Sequence, residues 1–179
     1  TDGIGRGKTS VCDQFQRIGI NIIEIDIISR ELVNQNPAVL KKIVEIFSDK
    51  VLECTGAIDR KKLAQIFFSN KKQKQQLENI LHPAIRNQVK QQIQRFSLLN
   101  SPPEYLIIVI PLLLETGFTD LIDRILVVVA EEKIRVDRIK QRDDRSFEEI
   151  HAIISSQVND AKRIRSADDI IENNNDFRH

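Results

Sequence analysis

The sequence predicts an α/β fold with parallel strands, on three observations. Short β-branched runs recur along the chain, helical periodicity fills the stretches between them, and one gap between runs is long enough to hold a separate helical insertion. The composition fits a folded core: of 179 residues, 41% are hydrophobic and 30% charged, with only 6 Gly and 5 Pro. Disordered and collagen-like classes are excluded. Lys plus Arg number 27 against 26 Asp plus Glu, a formal charge of +1, so no global field selects nucleic acid or an anionic membrane.

The first run, Gly19–Asp26 (G-I-N-I-I-E-I-D), reads as a buried parallel strand closing on an acid. Tyr105–Pro111 and Arg124–Ala130 repeat that character, and Asp169–Glu172 is a short fourth strand. Helical stripes lie between them: Val11, Phe15 and Ile18, then Leu40, Val44 and Phe47. The stretch from Lys71 to Phe96 places Leu77, Leu81, Ile85, Val89, Ile93 and Phe96 on one face, opposite a solvated Lys- and Gln-rich face. The interval from Asp26 to Tyr105 far exceeds the dozen or so residues that a βαβ crossover needs, so a helical insertion is expected over 31–103. The breaker-rich joint Asn100–Pro103 marks its exit. Residues 1–30 and 104–179 then form the core, with a lid at about 134–160.

Cys12 and Cys54 form no C-x-x-C, and His82, His151 and His179 are scattered, which argues against a zinc site and for a reducing, cytoplasmic compartment. The longest apolar run, Tyr105–Leu114, is too short to span a bilayer. A chain without Met that opens on Thr1 inside a motif is expected to have a native start further upstream.

That motif is T-D-G-I-G-R-G-K-T-S, Thr1–Ser10. Gly7, Lys8 and Thr9 fill the last three positions of the phosphate-loop pattern G-x-x-x-x-G-K-[ST]; Gly3 and Gly5 keep the loop flexible, and Asp2 stands in place of the first glycine. In such a loop backbone N–H groups close on phosphates, the Lys neutralises them, and the hydroxyl of Thr9 ligates Mg²⁺. Asp26, after Glu24 in E-I-D, is either a solvated strand cap or a carboxylate beside the transferred phosphoryl group. Arg138 and Arg142 share a helix face at i and i+4, suited either to a solvated surface laced with Arg/Asp pairs or to closing on ATP. His82, before Pro83, reads as a structural histidine, with Pro83 starting or kinking a helix.

Taken in order, these segments resemble the dephospho-coenzyme A kinase family. The resemblance runs from Thr1 to about Asn174 and rests on G-I-G-R-G-K-T, G-I-N-I-I-E-I-D with Arg30 after it, L-H-P at Leu81–Pro83, I-P-L-L-L-E at Ile110–Glu115, R-I-K-Q-R-D at Arg138–Asp143, and A-D-D-I-I-E-N-N at Ala167–Asn174. It departs from the family pattern at Asp2 and Glu24; the strand expected before the loop is missing, and the helix expected after Asn174 is cut short.

The resemblance implies a phosphate-loop core with a five-stranded parallel sheet, a helical substrate subdomain and a helical lid. It implies ATP, Mg²⁺ and dephospho-CoA as ligands, with phosphorylation of the ribose 3′-hydroxyl. By position it implies Asp26 as base, Lys8 and Arg138 as catalytic, and Gly3, Ile4, Gly5, Arg6, Gly7, Lys8, Thr9, Ser10, Arg142, Asn173 and Asn174 around ATP. Arg30, His82 and Pro111 fall at substrate-side positions. The competing expectations are a kinase of another small hydroxylated acceptor and a nucleotide-binding module without catalysis. Neither nucleic acid nor membrane is expected as a partner, and the sequence leaves the oligomeric state open.

Overall fold

The computed structural model describes residues 1, 3–143 and 146–174, with the side chains of 66–69 excepted. In chain order the elements are α1 (Lys8–Arg17), β1 (Ile22–Glu24), α2 (Ile25–Gln35), α3 (Pro37–Phe47), α4 (Arg60–Ser69), α5 (Lys71–Ser97), β2 (Ile107–Val109), α6 (Leu113–Thr116), β3 (Leu126–Val129), α7 (Glu132–Arg142), α8 (Phe147–Ser156), α9 (Asp160–Arg165) and β4 (Asp169–Glu172). They fall into two compact units: Thr1–Ile23 with Pro103–His179, and Glu24–Pro102. The second unit therefore begins at Glu24, earlier in the chain than the expected insertion.

In the first unit β1 pairs with β2, and β3 pairs in parallel with β4, Leu126 opposite Asp169 through Val129 opposite Glu172. The described residues thus carry four strands, in two pairs. Thr1 extends the β3 side: its amino group donates to the Leu126 carbonyl at 2.7 Å, and the Val128 N–H donates to the Thr1 carbonyl at 3.2 Å. Helices α7 and α8 pack through Val136, Ile139 and Ile150, with Ile4 and Ile154 against them.

The second unit is helical. Its longest helix, α5, packs against α2, α3 and α4. Of the expected α5 stripe, Leu77, Ile85 and Val89 are buried, while Leu81, Ile93 and Phe96 are half-buried. The helix runs through Pro83 and does not start there. In α3 the buried positions are Val39, Ile43 and Phe47. Caps here are local: Asn36, Asp59 and Asn70 each accept hydrogen bonds from the first amides of the helix that follows.

Two expectations need correction. Ile18 does not join the buried face of α1, because the helix ends at Arg17 and Ile18, its C-cap, is 71% exposed. The expected strand Gly19–Asp26 is shortened to Ile22–Glu24. Ile25, Ile28 and Leu32 then follow a helical spacing and are buried in α2, so the β-branched run spans a strand and the helix after it.

Candidate active site

The phosphate loop leads into α1, whose N-cap is Gly7 at φ 79°. Gly5 has φ 78°, and both lie in the left-handed region that glycine enters without penalty. Space demands glycine as well. A Cβ on Gly5 would sit 2.8 Å from the Arg135 carbonyl oxygen, and one on Gly7 would collide with Asn173 Nδ2. Because Gly7 has no side chain, no side chain caps α1. First-turn amides of a helix have no intrahelical acceptor, so together with the helix dipole this end suits an anion. Lys8, Thr9 and Ser10 form that first turn.

The other side of the loop is tied down by residues far along the chain. The Ile4 N–H donates to Gln157 Oε1 at 3.1 Å, and the Ile4 carbonyl accepts from Arg135 Nε at 3.2 Å. Asn173 Nδ2 donates to the Arg6 carbonyl at 2.8 Å. The Arg6 side chain, 1% exposed, donates to the Val128 carbonyl at 3.4 Å and pairs with the Asp160 carboxylate. Only the backbone of Arg6 is therefore left for a ligand. Gly3 also belongs to this face, since a Cβ there would lie 2.6 Å from Gln157 Oε1.

Of the two arginines expected to share a face of α7, Arg138 lies beside the loop. Its Nη1 donates to the Asn173 carbonyl at 3.0 Å and its Nη2 to Asn173 Oδ1 at 3.4 Å. Nη1 is also 3.4 Å from where a Cβ on Gly7 would stand. Arg142 instead makes a two-pronged pair with the adjacent Asp143, both bonds 2.9 Å, which raises its pKa further above its ordinary value. Asn173 is buried, its N–H donating to the Val129 carbonyl at 2.8 Å, and Asn174 Oδ1 accepts from the Glu131 N–H at 2.8 Å. After Pro111, Leu112 is held at φ 51°, ψ 45°, a left-handed conformation that costs a Leu about 1–2 kcal/mol. Asp2 and Arg145 lie outside the described residues.

The remaining expected residues belong to the second unit. Asp26 is not at a strand end; it sits exposed in the first turn of α2, where the helix dipole favours a carboxylate. Arg30, also exposed, follows at i+4 on the same helix face. His82, half-buried in α5, has its pKa lowered by burial, with Glu78 opposing and Arg86 adding to the shift. Among the described residues no three His, Cys, Asp or Glu side chains converge on a metal position. A hydroxyl such as that of Thr9, with nucleotide phosphates supplying the other oxygens, fits the hard-oxygen chemistry of Mg²⁺.

A helix N-terminus with no side-chain cap behind a glycine loop, with an arginine beside it, is chemically suited to an anion such as a phosphate. The family described as "Dephospho-CoA kinase" matches residues 1–179. The chain belongs to the dephospho-CoA kinase family. A dephospho-CoA kinase of Colwellia psychrerythraea is 42% identical over 173 residues, covering 97% of this chain and 83% of that one. One of Aliivibrio fischeri is 40% identical, covering 97% and 93%. Among solved structures, the dephospho-CoA kinase from Campylobacter jejuni superposes with TM-score 0.71 at 32% identity, covering 98% of this chain and 87% of that one. The crystal structure of TT1252 from Thermus thermophilus does so with TM-score 0.83 at 26% identity, again covering 98% and 87%. These likenesses make the α/β core a phosphate-loop kinase fold.

Within this family member, sequence reasoning missed the residues behind the loop, Gln157, Arg135 and Asp160, and the pairing of the buried Arg163 with the partly exposed Glu115, Nη2 to Oε1 3.1 Å. Arg135 could have been found at three residues before Arg138. Nothing local marks the others, since charged residues are read by default as surface.

Proposed function

We propose that the chain transfers the γ-phosphoryl group of ATP to the ribose 3′-hydroxyl of dephospho-CoA, giving coenzyme A and ADP. The observation that carries this reading is the uncapped N-terminus of α1 behind Gly5 and Gly7, with Arg138 beside it, in a chain whose relatives are dephospho-CoA kinases. Lys8 and the first-turn amides of α1 bind the β- and γ-phosphates. The Thr9 hydroxyl would hold Mg²⁺, which would supply positive charge against the charge that develops on the phosphates. Asp26 takes the proton of the 3′-hydroxyl as its oxygen bonds to the γ-phosphorus and the bond to the bridging oxygen of ADP breaks. Arg138 stabilises charge on the group in transfer.

Arg142, Asn173 and Asn174 complete the ATP side, and Arg30, His82 and Pro111 the dephospho-CoA side. No helix of the described residues is long and apolar enough to cross a membrane. With two cysteines that form no disulfide, the proposed place of work is the cytoplasm.

The test is a product assay with ATP, Mg²⁺ and a panel of hydroxylated acceptors that includes dephospho-CoA, nucleosides and shikimate. Phosphorylation at the 3′ position of dephospho-CoA is expected. Turnover of another acceptor in its place overturns the assignment, and ATP binding without any turnover leaves a binding module. In the same assay Asp26→Asn should lower kcat by about 10²- to 10⁴-fold, the range for a general base. A change confined to KM would make Asp26 a binding residue.

A further inference from the structure

The first unit buries three guanidinium groups: Arg6 is 1% exposed, Arg135 3% and Arg163 0%. Two carboxylates answer them. Glu115 takes Arg163, and Asp160 takes both others, Arg6 through one oxygen and Arg135 Nη1 through the second at 3.3 Å. Burial and the neighbouring Arg6 push the pKa of Arg135 down, and Asp160 pulls against them. Without Asp160, the two buried cations would lose the carboxylate that contacts both, leaving the more distant Glu132 to act on Arg135.

The two arginines belong to different parts of the proposed machinery. Arg6 is inside the phosphate loop, between the left-handed Gly5 and Gly7. Arg135 is one helical turn before Arg138 on α7, and its Nε also holds the Ile4 carbonyl of the loop. A single carboxylate at the start of α9 therefore joins the loop to the helix that carries Arg138. Two features separate this bridge from ordinary packing. Asp160 is half-exposed, with a side-chain exposure of 47%, so its charged form keeps its hydration while both partners are buried. Arg6 also has little to fall back on: among the described residues its Nε, buried, has no hydrogen-bond partner, and its Nη1 reaches the Val128 carbonyl at 3.4 Å.

We infer that Asp160 is a positioning residue for the kinase reaction: by bridging Arg6 and Arg135 it sets the phosphate loop, and with it the orientation of Arg138, for ATP. The inference rests on the ATP-binding role proposed for the loop. A loop displaced by about 1 Å can cost roughly 10²-fold in rate, so the effect should be read on ATP and not on the acceptor.

The experiment compares the full chain with Asp160→Asn, Asp160→Glu and the double variant Arg6→Ser/Asp160→Asn. ATP affinity is measured by calorimetry, and kcat and both KM values by product formation. Asp160→Asn should weaken ATP binding and lower kcat/KM for ATP by about 10²-fold. KM for dephospho-CoA should stay within about twofold, and Asp160→Glu should restore part of the loss. ATP binding by Asp160→Asn within twofold of the parent overturns the inference, and so does an equal rise in both KM values, which marks a general structural defect. If Asp160→Asn does not fold, the double variant, which removes the stranded Arg6 charge, carries the same reading: parent-like ATP affinity in it overturns the bridge. A parent chain that binds ATP but leaves dephospho-CoA unphosphorylated sinks the proposed activity alone, since calorimetry still reports what Asp160 does for ATP.

Discussion

The two units are held together by different physics. In the second, the buried positions from Ile28 to Val89 are apolar, and helix starts are secured by side chains two or three residues away, as Asn70 does for the amides of Lys72 and Gln73. In the first, the buried polar residues Arg6, Arg135 and Asn173 sit at the phosphate loop, with partners as far as 167 residues off, and a fourth, Arg163, is held by Glu115 and the Val158 carbonyl. An apolar interior needs only volume and pattern. A loop that must approach phosphates needs its backbone held from behind, and hydrogen bonds and charges do that with direction.

The largest effect on stability is expected where a buried charge loses its partner. Glu115→Ala strands Arg163, which is 0% exposed and whose Nε and Nη1 have no hydrogen-bond partner among the described residues. Unfolding by denaturant should show a loss of about 3–5 kcal/mol, toward the lower end because Glu115 is itself partly exposed. The comparison sharpens with Glu115→Leu/Arg163→Leu: removing the cation as well should recover most of that loss. A double variant as unstable as Glu115→Ala would show that packing, and not the stranded charge, explains it.

In the second unit Ile43, 0% exposed in α3, is the counterpart. Ile43→Ala should cost about 2–5 kcal/mol through lost burial and a residual cavity. No deletion of a neighbouring side chain should restore stability there; only refilling the volume should. Rescue of Ile43→Ala by a second truncation would break the distinction between the units.

The smallest effect concerns pH. Burial lowers the pKa of His82 from 6.5, so below that value the unfolded chain takes up the proton more readily than the folded one. The contribution of neutral His82 is complete above about pH 6.5 and is lost as pH falls through the lowered folded value. His82→Gln should flatten this part of the stability curve between about pH 7.5 and pH 5, as read by thermal unfolding at both ends. An unchanged slope would assign the acid-side loss to other groups.

The sequence by itself determined whatever local spacing encodes. The motif Gly3–Ser10 announces the loop, because its chemistry is carried by neighbours; α5 appears as an apolar stripe ended by a breaker-rich joint; and β4 is found at Asp169–Glu172 as expected. The division between β1 and α2 was not legible, since Ile22, Ile23, Ile25 and Ile28 satisfy a strand and a buried helix face alike until packing selects one. Only the tertiary structure decided that Arg6 turns inward, that Arg138 bonds Asn173 beside the loop while Arg142 pairs with Asp143, and that Asp160, 154 residues from Arg6, joins the loop to α7. The physical reason is that a charged side chain carries no mark in sequence of whether it meets water or a counter-charge. That choice depends on which distant element the fold brings beside it.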